Sequence, residues 1–369
     1  MIMRILLVSD DLLPGGTARF VVSLANELHE RGAAVAVAAT DGDFRRFINS
    51  TIQFIPLFLY KKKSYSKNLF GIFFSVIRLW RLLNSGNFDI VHSHKRYSHF
   101  LVSMLLWNRK IKHITHFASV FQSKKKFTRY GVSVLCCSEA VRNNLIKNFH
   151  CPPEISTTIY HGINPLRRYS KEEQEKIRKL LCVEENQALV SSIGQYVPLK
   201  DREGLIHSIN LLRNKVDLTC VRFFLLGYGP QEQYLKQLVD ELQLGETVKF
   251  LEGTFDVEAL INISDFLILN STEEEGFGIV LLEAASVGKM HIGSNAGGIP
   301  EFIEHEKTSL LVEPRNPDQL CDAIVYCLTH TEKVKEMGTL AEQKYKQYFT
   351  FQRMVNAIVH HYQITLEQQ

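Results

Sequence analysis

Eleven residues, Glu273-Glu274-Glu275-Gly276-Phe277-Gly278-Ile279-Val280-Leu281-Leu282-Glu283, place carboxylates and glycines between two apolar runs. The run before them, Phe266–Leu269, reads as a buried strand. The run after, Ile279–Val287, reads as a buried helix. A glycine-bearing turn from strand to helix gathers backbone N–H groups and the positive helix end at one point. Such a point suits an anion such as a diphosphate. Glu275 lies at that turn, and Glu283 is expected two helical turns on, about 12 Å along the axis. Carboxylates neutralise phosphate poorly, but they accept hydrogen bonds from sugar hydroxyls. The stretch therefore suits a ligand that carries both a phosphate and a polyol.

Other residues invite chemistry more weakly. His92, His94 and His116 stand at the ends of two expected strands. The C-terminal rim of a parallel sheet is where ligands sit, which favours His116 as a site residue. Their spacings match no compact ligand set and no carboxylate is nearby, so no metal site is expected. Asp41-Gly42-Asp43 spells a metal-clamp pattern but sits beside no nucleotide-binding signal, and it reads as chance. The seven cysteines are odd in number and show no Cys-x-x-Cys spacing, so they read as reduced, mostly buried thiols.

Successive strand–helix units must position these residues. At 369 residues two domains are expected, and the composition is that of a soluble globular protein. Met1–Val8 is a short strand followed by acids rather than a signal peptide, and no apolar run approaches the roughly 20 residues of a membrane span. Ile5–Val8, the turn Pro14-Gly15-Gly16, a helix from Thr17 to Gly32 and the strand Ala33–Thr40 make a βαβ opening. Gly15-Gly16 falls short of the dinucleotide fingerprint. Further strands are expected at Phe88–His94, Ile114–Ala118, Val132–Ser138 and Ile155–Tyr160. A charged connection at 166–187 leads to a second series: Ala188–Ile193, Val221–Leu226, Thr247–Leu251, Phe266–Leu269 and Lys289–Ile292. Domains of 1–165 and 166–349 follow. A last helix at about 350–369 packs back on the first domain, because Met354, Ile358 and Tyr362 form one stripe.

The net charge of +4 hides an asymmetry. Residues 1–165 carry 22 Lys+Arg against 9 Asp+Glu, net +13, and the remainder carries 43 − 22 = 21 against 39 − 9 = 30, net −9. The basic clusters Lys61-Lys62-Lys63 and Lys124-Lys125-Lys126, the first leading into the aromatic segment Leu69–Leu83, suggest an anionic membrane surface. The competing reading is a solvated loop before an ordinary core helix. No nucleic-acid partner is expected.

The chain resembles a family-four (GT4) retaining glycosyltransferase of the GT-B fold. The resemblance rests on Glu275–Glu283, on Ser294-Asn295-Ala296-Gly297-Gly298-Ile299-Pro300-Glu301, and on an ordered set of echoes over some 300 residues. These are Gly15-Gly16, Asp89–His94, His116, Ser138–Val141, His161–Asn164, the Gly194–Lys200 turn and Gly227-Tyr228-Gly229-Pro230. It implies an α/β protein of two Rossmann-like domains whose parallel sheets face an interdomain cleft, with the donor on the C-terminal domain and the acceptor on the N-terminal one. It also implies roles. Glu283 binds ribose hydroxyls, and Glu275 and His116 sit at the transferred sugar. The N–H groups of Gly276, Phe277, Gly278 and Ile279 hold sugar and phosphate, Lys200 neutralises the diphosphate, and Gly15 and Gly16 allow close approach to it. Gln195 stands where the family usually has a second basic residue, and Arg19 is one candidate to compensate.

The implied reaction retains configuration by same-face attack and needs no cofactor or metal. The expected donor is a nucleotide-sugar, a UDP-sugar by preference. The expected acceptor is a saccharide or glycolipid of a bacterial envelope glycan such as lipopolysaccharide. The location is cytoplasmic, or peripheral on the inner face of the membrane where the basic segments bind. A nucleotide-sugar epimerase of the same fold and a weakly active donor-binding subunit are the alternatives.

Overall fold

The structure, a computed structural model, describes residues 2–59, 69–85, 87–107, 110–123, 127–253, 255–272 and 275–368. The chain forms two compact units, Met1–Tyr160 with Met354–Gln369, and His161–Arg353.

The first unit holds strands β1 (Arg4–Asp11), β2 (Ala34–Thr40), β3 (Gln53–Leu57), β4 (Ile90–His94), β5 (Lys112–Phe117), β6 (Ser133–Cys136) and β7 (Ser156–Thr158). They form one parallel sheet in the order β3-β2-β1-β4-β5-β6-β7. Helices α1 (Gly16–Glu30), α2 (Leu69–Asn84), α3 (Arg96–Leu105) and α4 (Glu139–Phe149) lie between them in sequence. Ile5–Val8 and Val37–Ala39 are buried without alternation, as strands covered on both faces must be. On α1, Val21, Leu24, Ala25 and Leu28 turn inward, and the chain leaves through Gly32 at φ 86°, a left-handed position that suits glycine.

The second unit begins with α5 (Lys171–Leu180). Its sheet holds β8 (Ala188–Ile193), β9 (Val221–Leu226), β10 (Val248–Leu251), β11 (Phe266–Leu269), β12 (Met290–Ser294) and β13 (Leu310–Val312), all parallel, in the order β10-β9-β8-β11-β12-β13. Its other helices are α6 (Arg202–Leu212), α7 (Glu232–Glu241), α8 (Val257–Ile263), α9 (Ile279–Ser286), α10 (Ile299–Phe302), α11 (Pro317–Thr329) and α12 (Thr331–Tyr348).

The unexpected strands are β3 and β13, each at the edge of its sheet. β3 contains Pro56 and β13 is three residues long, so neither carries the long apolar run that marks a central strand. The units part between Tyr160 and His161, five residues before the expected boundary. The reason is His161, whose buried ring lies 6.3 Å from that of Phe277 in the second unit.

The last helix, α13 (Phe351–Glu367), starts in the second unit and runs onto the first. Met354, Ile358 and Tyr362 are buried. Tyr362 Oη lies 2.6 Å from His92 Nδ1, and His361 Nε2 lies 2.6 Å from Ser133 Oγ. All seven cysteines are free thiols, and five are buried.

The Lys61–Lys63 and Lys124–Lys126 clusters lie outside the described residues. Helix α2 is described from Leu69, with side chains from Gly71 on. It buries Ser75, Leu79 and Leu83 and exposes Phe73, Phe74, Arg78, Trp80 and Arg81. No helix among the described residues is long and apolar enough to cross a membrane.

Candidate active site

The second unit assembles its site from three loops at the C-terminal ends of β8, β11 and β12. After β8 the chain turns at Gly194, whose N–H donates to Leu226 O at 2.9 Å. Tyr196 N–H donates to Tyr228 O at 2.9 Å and the Tyr196 hydroxyl to Leu225 O at 2.8 Å. Gly227 explains why this turn fits: a Cβ there would come within 2.0 Å of Gly194 O. The glycines of Gly227-Tyr228-Gly229 therefore let one loop lie on the other. The turn closes with Pro198–Lys200, and Asp201 caps α6 by accepting from Gly204 N–H.

The loop after β11 is tied to this turn, since Thr272 N–H donates to Leu199 O at 2.8 Å. Glu273 and Glu274 lie outside the described residues. Glu275 points its carboxylate at Lys200, and Nζ donates to Oε2 in a tight ion pair. The same oxygen accepts from Ser271 Oγ at 2.9 Å. Burial works to raise the pKa of Glu275. The charge of Lys200, hydrogen bonds from Lys200 and Ser271, and the charge of Arg202 outweigh it and hold the carboxyl below its usual value.

The loop after β12 supports Glu275 from its backbone side. Gly298 N–H donates to Glu275 O at 3.1 Å, and a Cβ on Gly297 would meet that oxygen at 2.0 Å. Gly297 also has φ 55°. This loop position therefore admits only glycine without displacing Glu275. Gly276, Phe277 and Gly278 complete the turn, with Gly278 left-handed at φ 89° as the N-cap of α9. The Phe277 side chain is buried with the rings of His161 and Phe349, so its own role at the turn falls to its backbone.

Glu283 is 6% exposed, on a helix whose residues 281–286 are all buried. The expected two helical turns between Glu275 and Glu283 are not there. Helix α9 begins only at Ile279, so Glu283 is one turn into it, about 6 Å of rise. The glycines at 276 and 278 hold Glu275 out of the helix. Gln195 is exposed on its turn. Sequence reasoning missed Ser271, which orients Glu275, and Arg202, which is fully buried beside the turn. Arg202 carried a signal: a basic residue opens a helix whose first turn favours acids.

In the first unit, Gly15 caps α1 with extended backbone, and among the described residues other than its chain neighbours no atom lies within 4 Å of a Cβ placed there. Gly16 is the first residue of α1, and Arg19 is exposed one turn in. His116 is 4% exposed and packs edge-on to Phe20 of α1, with ring centroids 4.7 Å apart.

The expectation that His92, His94 and His116 form no compact set is wrong. One ring nitrogen from each lies within 4.8 Å of the others. The cause is register: β4 and β5 pair His94 with His116, and residues 92 and 94 share a face. On the opposite face Ser93 Oγ lies 2.7 Å from His99 Nδ1 and 2.8 Å from His113 Nε2. Burial, reinforced by its histidine neighbours, holds His92 well below the usual imidazole value, and burial holds His113 at about 3. In the second unit burial holds His161 at about 4 and His291 at about 3. The Asp-x-Asp pattern has a local role, since Asp41 pairs with Arg45 at 2.6 Å.

As it stands, Lys200 and Glu275 satisfy each other. An anion would compete for Lys200, and a hydroxyl-bearing group would compete for Glu275. The two halves of that exchange match the two halves of a sugar phosphate.

Comparison with known proteins places the chain among glycosyltransferases. Residues 173–344 match the family described as glycosyl transferases group 1, and residues 14–167 match glycosyltransferase family 4. The chain is 28% identical over 283 residues to N-acetyl-alpha-D-glucosaminyl L-malate synthase of Bacillus anthracis, covering 73% of each chain. In fold it is similar to Anabaena HepE in complex with UDP-glucose, at TM-score 0.85 and 22% identity over 100% of both chains. It is also similar to WaaG, a glycosyltransferase involved in lipopolysaccharide biosynthesis, at TM-score 0.76 and 18% identity over 96% of this chain and 98% of that one.

Proposed function

Because the chain is a family-four glycosyltransferase of GT-B fold, we propose that it moves a hexose-type sugar from a UDP-sugar to a saccharide or glycolipid acceptor of a bacterial envelope glycan. The observation that carries the donor half is the Lys200–Glu275 pair, with Ser271 beside it and Gly297-Gly298 behind it. A donor diphosphate takes Lys200, sugar hydroxyls take Glu275, and Glu283 takes the ribose. The preference for UDP is supported by the likeness to HepE, and the envelope role by the likeness to WaaG.

The reaction breaks the bond between the anomeric carbon and the diphosphate oxygen, and the electron pair leaves with the phosphate. Lys200 and the N–H groups at the start of α9 stabilise that charge. The acceptor hydroxyl attacks from the face the phosphate leaves. Its proton passes to the departing phosphate oxygen, and configuration is retained. His116 and Gly15-Gly16 keep the roles that the family resemblance implies for them. No metal takes part in these steps.

A panel of UDP-, GDP- and ADP-sugars with EDTA tests this. One donor should raise the melting temperature, since a ligand at 100 times its Kd adds about 2.7 kcal/mol. Glu283→Ala should abolish the shift, and product NMR should show retained anomeric configuration. Loss of transfer in EDTA, restored by a divalent ion, would refute metal independence and direct attention to His92, His94 and His116.

Helix α2 supports a membrane-bound acceptor. Phe73, Phe74 and Trp80 are 60%, 65% and 46% exposed, with Arg78 and Arg81 on the same outward face. Replacing the three aromatics by serine should weaken binding to phosphatidylglycerol-containing vesicles at least about tenfold, since each ring contributes roughly 1.5 kcal/mol or more. Lys61→Glu with Lys62→Glu and Lys63→Glu should weaken binding most at low salt. Unchanged vesicle binding in both variants would leave α2 as a helix of the core only.

A further inference from the structure

Arg202 breaks three preferences of a stable protein at once. It is a charged side chain with 0% exposure. It sits at the first position of α6, where the helix dipole disfavours a cation. Its Nη1 donates to Ser192 Oγ, while Nε and Nη2 have no partner among the described residues. Unmade hydrogen bonds on a buried charge are costly, and such violations concentrate at functional sites.

The direction in which the free guanidinium edge points is set by Gly194. A Cβ built on Gly194 would lie 3.2 Å from Arg202 Nη2 and 3.7 Å from Lys200 Cε. Gly194 is itself partly exposed, on the turn that also carries Gln195. The missing side chain at 194 thus lets Arg202 Nη2 and the stem of Lys200 both pack against the backbone of the turn. Burial lowers the guanidinium's pKa to about 10, so it keeps its charge at neutral pH.

We propose that Arg202 is the second cation of the donor site. Beside Gly194, its guanidinium donates hydrogen bonds to the diphosphate of the bound nucleotide-sugar, supplying a charge that the uncharged Gln195 on the same turn does not. The proposal rests on the donor site assigned above. It replaces Arg19 as the compensating residue: the second charge lies in the buried floor of the turn rather than on its exposed rim at Gln195. Paired with Lys200, a planar fork and a point charge then bracket one diphosphate.

The test is titration calorimetry of the full chain with UDP, GDP and ADP, followed by the tightest of these against its monophosphate. Arg202→Gln should weaken the diphosphate by at least about tenfold and the monophosphate several-fold less, because charge-assisted bonds to the β-phosphate are lost. Adding Gln195→Arg to Arg202→Gln should restore diphosphate affinity to within about threefold of the wild type. If Arg202→Gln does not fold, Arg202→Lys reads the same ratio, with an intermediate loss expected from losing the fork. Diphosphate and monophosphate weakening by one common factor, or neither weakening, would overturn the assignment. A wild type that binds no diphosphate would overturn the donor site itself. Weakening by Lys200→Met but not by Arg202→Gln would overturn Arg202 alone.

Discussion

Lys200→Met is expected to lower kcat/KM for the donor on the order of 100- to 1000-fold, and separately to destabilise the second unit by about 3 kcal/mol. The two effects have different origins. The first is loss of the charge that meets the leaving diphosphate. The second arises because the Lys200 and Glu275 side chains are only 18% and 13% exposed, so removing the lysine leaves a carboxylate with little solvent to turn to. Ser271, at 2.9 Å, and the charge of Arg202 remain to hold it. The destabilisation should appear as a fall of about 6–12 °C in the melting of a unit this size. The double variant Lys200→Met with Glu275→Gln separates the two. Removing both charges should recover most of the melting temperature and none of the activity. If Lys200→Met melts like the wild type and stays within threefold in kcat/KM, the pair has neither role.

The second large effect is acid unfolding well above the carboxylate range. His113, His161 and His291 are held neutral, with folded pKa values of about 3, 4 and 3 against 6.5 in the open chain. Their folded values are depressed, so below pH 6.5 the unfolded state binds protons that the folded state refuses. Stability is full above pH 6.5 and falls with pH until the folded values are reached. At pH 5 each group contributes about 2 kcal/mol of destabilisation, so His161 and His291 together cost the second unit about 4 kcal/mol and His113 costs the first about 2 kcal/mol. The load on the second unit approaches the whole stability of a marginal domain, about 5 kcal/mol. His92 and His99, both pushed down by burial and by neighbouring histidines, add to the load on the first unit. The protein should therefore lose structure between about pH 6 and pH 4.5 when followed by circular dichroism. Glu275, whose own linkage lies below the ordinary glutamate range, should add little in that window. His291→Phe should move the midpoint of the second unit's transition lower, because Phe302 already stacks on that ring at 5.5 Å and would accept an apolar neighbour. A flat signal down to pH 4.5 would contradict buried neutral imidazoles.

Much of this molecule is legible in the amino-acid order. The central strands announce themselves as unbroken apolar runs, because parallel strands are buried on both faces. The stripe of Met354, Ile358 and Tyr362 points to a helix that must cover something, and the cover it provides is the first unit. The short edge strands do not show, since three residues of β13 carry no period to read. The carboxylates and glycines of 275–283 are visible as a group, yet the ion pair is not. Lys200 and Glu275 are 75 residues apart, and only the order β8-β11 brings their loops together. The histidine trio escaped for the same reason. Spacing along the chain cannot reveal a register, and His94 faces His116 only because β4 pairs with β5. Arg202 was hidden in another way: a charged residue after Lys200-Asp201 looks like a solvated surface, its place at the start of α6 is a weak signal, and burial is what makes it stand out.

The crossing of α13 bears on how the chain is made. The first unit begins at the N-terminus, yet its His92 waits for the hydroxyl of Tyr362, and its Ser133 for His361. Synthesis runs from the N-terminus at about 5–20 residues per second. The half that emerges first therefore cannot finish until α13 leaves the ribosome, while all of His161–Arg353 is translated before that helix is complete. The later half completes itself first, and the earlier half is sealed by a helix translated after it.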